Sequence, residues 1–307
     1  MRADSFRLAT EDGAQIHVYR WSPDEAPRAA IQIAHGLAEH AGRYARPAQA
    51  LTDAGFVVYA NDHRGHGLSA ATPADLGFFA TRDGWDKCVG DLYALNRRIA
   101  AEHAGAPILF LGHSMGSFLG QSFVARHSDA IAGCAFSGSN GPPPAIASVG
   151  RLIARIERLR LGPRGRSPLL QKMMFGEFNK RFEPARTAFD WLSRDPAEVD
   201  AYVADPLCGF EFSNQLAVDL LDALGGLLAP AALARVRKDL PIYIFSGSDD
   251  PVGSNLPALA DALRGAGVRQ VDMRVYPGAR HECLNETNRD EVVGDLLRWA
   301  QAVVAGR

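Results

Sequence analysis

The chain has 307 residues, 47% of them hydrophobic and 22% charged, which is ordinary globular composition and excludes disorder as the dominant state. Its 33 basic and 35 acidic residues leave a formal charge of -2, a balance that gives no electrostatic footprint for duplex nucleic acid. Cys88, Cys134, Cys208 and Cys283 form no CxxC pair, which argues against zinc and thioredoxin-type chemistry and for reduced, buried thiols in a cytoplasmic protein. The first residues lack the apolar core of a secretory signal, and no apolar run approaches the roughly 18 residues of a membrane span.

In chain order, residues 5–10 and 15–20 flank an Asp12-Gly13 turn and read as a hairpin. The short apolar run 29–34 reads as a strand and ends at His35-Gly36, and a polar helical stretch over 44–54 stops at Gly55. A second buried strand is expected over 56–60, followed by the loop Asn61-Asp62-His63-Arg64-Gly65-His66-Gly67 and a helix over 85–103. A strand over 107–111 leads into Gly112-His113-Ser114-Met115-Gly116, then a helix over 117–126 and a strand over 131–136. Strands alternating with helices, each strand a continuous apolar run, predict an α/β fold with a mostly parallel sheet covered on both faces.

The alternation breaks at Ser139-Asn140-Gly141 and resumes with strands over 240–245 and 271–276 and a closing helix over 289–304. Residues 1–140 and 239–307 are therefore expected to form the core, and 141–238 a helical insertion over the strand ends, where open α/β sheets bind ligands.

Gly112-His113-Ser114-Met115-Gly116 is a GxSxG sequence between a strand and a helix. A nucleophile on so tight a turn needs small residues two before and two after it. Ser114 is the candidate nucleophile, and a serine hydroxyl needs a base. Of nine histidines, His281 lies just beyond the last core strand, where a loop can bring it to Ser114. His103 and His127 read as solvated helix-end residues, and His113 as elbow packing. The strand over 240–245 leads into Asp249-Asp250-Pro251. Either aspartate could orient the base; Asp250, three residues past Gly247 and stiffened by the proline, is preferred. The developing oxyanion would rest on the backbone N–H groups of Met115 and, after the first core strand, Leu37.

His35-Gly36-Leu37-Ala38-Glu39-His40-Ala41-Gly42-Arg43-Tyr44, Asp62-His63-Arg64-Gly65-His66-Gly67-Leu68-Ser69, the Gly112–Gly116 elbow, and Tyr276-Pro277-Gly278-Ala279-Arg280-His281-Glu282 with Asn285-Glu286 together resemble the monoacylglycerol lipase and lysophospholipase group of the α/β-hydrolase superfamily, with a serine aminopeptidase S33-type domain. The resemblance runs from about residue 30 to the C-terminus. It implies an eight-stranded sheet, a helical cap, a Ser114–His281–Asp250 triad, no cofactor, and an ester of glycerol or a lysophospholipid as substrate. Ser117 departs from the third glycine that many members carry, and little of the cap matches beyond Asp205-Pro206-Leu207.

There are two rival functions, the first with the same triad. One is amide or peptide hydrolysis, which needs an acidic group in the cap to receive an amino terminus; Glu177, Glu183, Glu198 and Glu211 are available. The other is a non-catalytic binding protein of the same fold. Ile146, Val149, Ile153 and Ile156 recur at helical spacing among arginines 151, 155, 158, 160, 164 and 166. A cap helix packed on the core with a solvated basic face is the preferred reading; transient contact with a membrane surface is the other. The sequence leaves oligomeric state open.

Overall fold

The computed structural model describes residues 1–143, 147–253 and 255–306. Its eight strands are β1 (Arg2–Ala9), β2 (Gln15–Ser22), β3 (Ala29–Ala34), β4 (Phe56–Asn61), β5 (Ile108–His113), β6 (Gly133–Ser137), β7 (Ile242–Gly247) and β8 (Val271–Tyr276). They make one sheet in the order β1-β2-β4-β3-β5-β6-β7-β8. The β1–β2 hairpin joins antiparallel, and β3 to β8 run parallel. The strand order therefore reverses between β3 and β5, and the crevice beyond their carboxyl ends is where such a sheet holds a ligand.

Alternation within the strands divides the core in two. Val57, Phe110, Phe136 and Ile244 face one layer, packed by Leu92 and Leu95 of α2 (Gly84–Glu102), Leu119 and Phe123 of α3 (Met115–His127) and Leu259 and Leu263 of α9 (Leu256–Gly265). Val58, Leu109, Leu111 and Phe245 face the other, packed by Leu51 of α1 (Ala45–Asp53) and Val292 and Leu296 of α10 (Arg289–Ala305). Continuous apolar runs thus reflect burial on both faces, as expected for parallel strands.

Between β6 and β7 lie α4 (Ala147–Leu161), α5 (Pro168–Phe175), α6 (Pro196–Ala204), α7 (Asn214–Leu224) and α8 (Pro230–Arg235), with no strand among the described residues. The packing of α4 departs from the sequence expectation. Its inner face is Gly150, Ala154 and Glu157, and a Cβ on Gly150 would reach only Met173 of α5, at 3.8 Å, while Val149, Leu152 and Ile156 are exposed and Ile153 packs on the core. Ile146 lies outside the described residues. The arginines are not simply solvated: Arg155 pairs with Asp222, Arg160 with Glu157 and Arg164 with Asp75. No described helix is long and apolar enough to cross a membrane.

Candidate active site

β5 runs straight into the elbow and α3 begins at Met115, which leaves Ser114 between them at φ 52° and ψ -123°. A non-glycine residue in the left-handed region is strained and persists only where its surroundings hold it. The glycines explain how. A Cβ on Gly112 would lie 2.5 Å from the Gly116 carbonyl oxygen, and one on Gly116 would lie 2.1 Å from the Ala34 carbonyl oxygen. Ser117, the departure from the family's third glycine, donates its hydroxyl to the Ser114 carbonyl at 2.6 Å and so ties the turn down. The N–H of Met115 opens α3 and has no partner within the helix, and the positive end of the helix dipole favours negative charge there.

His281 lies in the loop after β8, and Asp250 in the turn after β7. That turn is as tight as the elbow, since a Cβ on Gly247 would meet the Ala279 carbonyl oxygen at 1.9 Å. Nδ1 of His281 is 2.9 Å from Oδ1 of Asp250. A carboxylate only accepts, so Nδ1 carries the hydrogen and Nε2 is left with a free lone pair. Asp250 Oδ1 also accepts from the Val252 N–H, and Oδ2 from the Ser246 hydroxyl. Burial works to raise the Asp250 carboxyl, but His281 and these donors outweigh it and hold it below its ordinary value. Burial likewise works against the His281 imidazolium, and the Asp250 charge and hydrogen bond, with Glu282 and Glu39, overcome it and raise His281 above its ordinary value. Asp249 points elsewhere and pairs with Arg181 at 2.9 Å.

The loop after β3 carries Leu37. Its shape is dictated by Glu39, whose Oε1 accepts the Gly36 N–H at 2.6 Å and the Tyr44 hydroxyl at 3.0 Å. Arg43 binds Glu39 Oε2 at 2.6 Å and grips Glu282 with two bonds of 2.7 Å. One guanidinium therefore joins the loop of Leu37 to the residue after His281. Despite burial, Arg43 holds Glu282 well below the ordinary carboxylate range. On the other side, the Ala38 carbonyl accepts the Tyr202 hydroxyl at 2.8 Å and the Gly209 N–H at 2.9 Å. The Asp62 loop backs the whole: the His63 N–H donates to His35 Nε2 at 2.9 Å, and Asp62 accepts the N–H groups of Ala41 and Leu68.

Gly36, Leu37, Ser114 and His281 line one cavity of about 380 Å³, walled by Phe175, Phe178, Phe189, Trp191, Tyr202 and Phe210 among others. The sequence reading assigned no role to Glu39, Arg43, Glu282 or Trp191. Glu39 and Arg43 stood within a quoted motif, whereas Trp191 carried no local signal. His113, read as elbow packing, is buried and does more, because its ring lies 4.7 Å from that of His281. His103 and His127 are half-buried rather than solvated, the first bonded to the Tyr59 hydroxyl and the second stacked on Tyr93. Among the described residues, His40, Asp205 and Cys208 are close enough to offer three metal ligands. His40 Nε2 already bonds Asp205 at 2.9 Å, and burial pushes the Cys208 thiol up, away from the thiolate a metal needs.

The family model for serine aminopeptidases of the S33 type matches residues 25–288. A monoacylglycerol lipase of Mycolicibacterium smegmatis is 31% identical over 94% of this chain and 93% of its own. The monoglyceride lipase of Mus musculus is 26% identical over 98% of this chain and 90% of its own. Among solved structures, a thermostable carboxyl esterase from Bacillus coagulans in complex with glycerol superposes with a TM-score of 0.90 at 26% identity, covering 99% of both chains. With the sheet order, the tight serine turn and these matches along nearly its whole length, the chain belongs to the serine aminopeptidase S33 family of α/β-hydrolases.

Proposed function

We propose that the protein hydrolyses carboxylic esters, with monoacylglycerol as substrate, through an acyl-enzyme on Ser114. His281 Nε2 removes the hydroxyl proton as Ser114 Oγ attacks the acyl carbon. The N–H groups of Leu37 and Met115 hold the oxyanion, each such donor contributing about 2.7–4 kcal/mol in related chemistry. The tetrahedral adduct collapses, the glycerol oxygen leaves with the proton from His281, and water attacks the acyl-enzyme by the same route in reverse. Asp250 keeps the Nδ1 hydrogen in place throughout. The observation that carries this reading is that His281, bonded through Nδ1 to the buried Asp250, lines the same aromatic cavity as the strained serine.

The ester reading is favoured over the amide one by the placement of acids. Glu177, Glu183, Glu198 and Glu211 do not line the cavity, and Glu198 is engaged by Arg46. Glu39 and Glu282 do line it but are neutralised by Arg43. A free amino terminus thus finds no unclaimed carboxylate among the described lining residues. We place residues 141–238 as a cap that selects the substrate, and we propose that it touches lipid transiently. Support comes from the row Val149, Leu152, Ile156 and Leu159 on α4, the last 81% exposed, with Leu169 and Met173 of α5 beside it. Four free, buried cysteines support a reducing, cytoplasmic setting.

Wild type and Ser114→Ala, incubated with monoacylglycerol, lysophospholipid and p-nitrophenyl esters from acetate to palmitate, test the assignment. Hydrolysis by wild type alone, down by about 10⁴-fold or more in the variant, is expected. Wild-type rates in the variant would overturn Ser114. Silence of the wild type on every ester, with no fluorophosphonate labelling, would favour a binding protein.

A further inference from the structure

The proposed base is held by more than its carboxylate. Two rings lean on the His281 imidazole: His113, and Trp191 with a centroid separation of 5.0 Å and an interplanar angle of 37°. Trp191 lies between α5 and α6, far from any core strand in sequence. Its carbonyl accepts the His281 N–H at 3.3 Å, and the next carbonyl, of Leu192, accepts the Glu282 N–H at 2.8 Å. Its own N–H donates to Asn179 Oδ1 at 2.9 Å. The indole is 7% exposed and is backed by Phe178 edge-on at 4.9 Å and by Phe175 at 6.2 Å. Ring and backbone of one residue therefore grip His281 at two points.

We propose that Trp191 is a positioning residue for His281: the indole fixes the plane of the imidazole and stabilises the imidazolium formed when the Ser114 proton is taken up. This rests on the assignment of His281 as base. The physics is specific to an aromatic ring, because a cation within about 6 Å of an indole centroid is attracted by the negative face of the ring, tryptophan being the strongest such partner. A leucine could fill the space but supplies no such field. The other groups acting on His281 have partners other than the indole: Asp250 is held by the Val252 N–H and the Ser246 hydroxyl, and Glu39 and Glu282 by Arg43. Burial disfavours the charged form of His281, while Asp250, Glu282 and Glu39 favour it. His113 is held down to about 4 by burial and by the His281 charge, so it is neutral where His281 works.

The test is the pH profile of kcat/KM on p-nitrophenyl butyrate for wild type, Trp191→Phe, Trp191→Leu and His281→Gln. The rising limb reports loss of the His281 proton in the free enzyme. Trp191→Leu is expected to move that limb to lower pH by roughly 0.4–1.5 units and to lower the plateau kcat several-fold, with Trp191→Phe between. Contacts with substrate can change KM but not the position of the limb. An unmoved limb in Trp191→Leu, with His281→Gln inactive, overturns the inference and leaves the base assignment standing. Activity in His281→Gln overturns the base assignment itself. If the Trp191 variants do not fold, wild type grown with stepwise fluorinated tryptophan decides, since fluorine weakens the ring field at nearly constant shape. The limb then falls with each fluorine, or the proposal fails.

Discussion

Asp250, by its charge and its hydrogen bond to His281, is the largest influence opposing burial on how the proposed site responds to pH. His281 works as a base only when neutral, and Asp250 raises the pH at which it becomes neutral. Activity is therefore expected to rise with pH through a limb above the ordinary histidine value of about 6.5. Asp250→Asn removes the charge, so the limb should fall to lower pH while kcat drops by about 10⁴-fold, as when the wrong imidazole tautomer is favoured. Stopped-flow kinetics of the acylation step would check both; a limb that stays put would show that another group governs the profile. At this scale the sequence was informative where chemistry needs a fixed spacing. Ser114, Asp250 and His281 each follow a strand end by a short, glycine-marked turn, so their neighbourhood could be read directly. Trp191 could not be, because nothing local in a helical stretch tells which aromatic will reach a histidine from another segment.

The loops depend on Arg43 to hold two elements together. It is nearly buried between Glu39, at the start of the turn after β3, and Glu282, in the loop after β8. Arg43→Met would leave two buried carboxylates without a cation. Breaking a buried pair by removing one partner costs about 3–5 kcal/mol, more than the pair itself contributes. The urea midpoint of Arg43→Met should fall accordingly, and adding Glu39→Gln and Glu282→Gln should recover much of the loss. If the single variant melted like wild type, the network would be ornamental to stability. The elements themselves were mostly legible, with ends displaced by one to three residues. α9 was missed although Leu256, Leu259, Ala260 and Leu263 are buried at helical spacing. β7 begins at Ile242 rather than at residue 240, after a proline that cannot donate to the sheet. For α4 the sequence showed an apolar row but not which way it faced. Gly150, Ala154 and Glu157 form the buried face instead, which the apolar spacing did not signal.

Over the whole molecule, the α4–α5 surface combines exposed apolar side chains with arginines that pair with nearby carboxylates, Arg155 with Asp222 and Arg160 with Glu157. Docking there would depend chiefly on buried apolar area, worth about 25 cal/mol per Å². Leu152→Glu with Leu159→Glu is expected to abolish co-sedimentation with phospholipid vesicles and to slow hydrolysis of vesicle-borne monoacylglycerol, with p-nitrophenyl acetate turnover unchanged. Equal sedimentation of both forms would refute the docking face. The region between β6 and β7 is otherwise of two kinds. The stretch 190–195 is bound to the histidine loop by the Trp191 and Leu192 carbonyls, by Arg194 to Glu286 and by Arg289 to Asp195. The stretch through α4 and α5 has no such bonds to that loop among the described residues. Exchanging 147–174 between relatives is therefore expected to leave those anchors and Phe175 in place, while changing the part of the cavity wall that Gln171 and Lys172 supply. A graft of everything from β6 to β7 would replace those anchors as well, so the natural unit of recombination is smaller than the insertion it sits in.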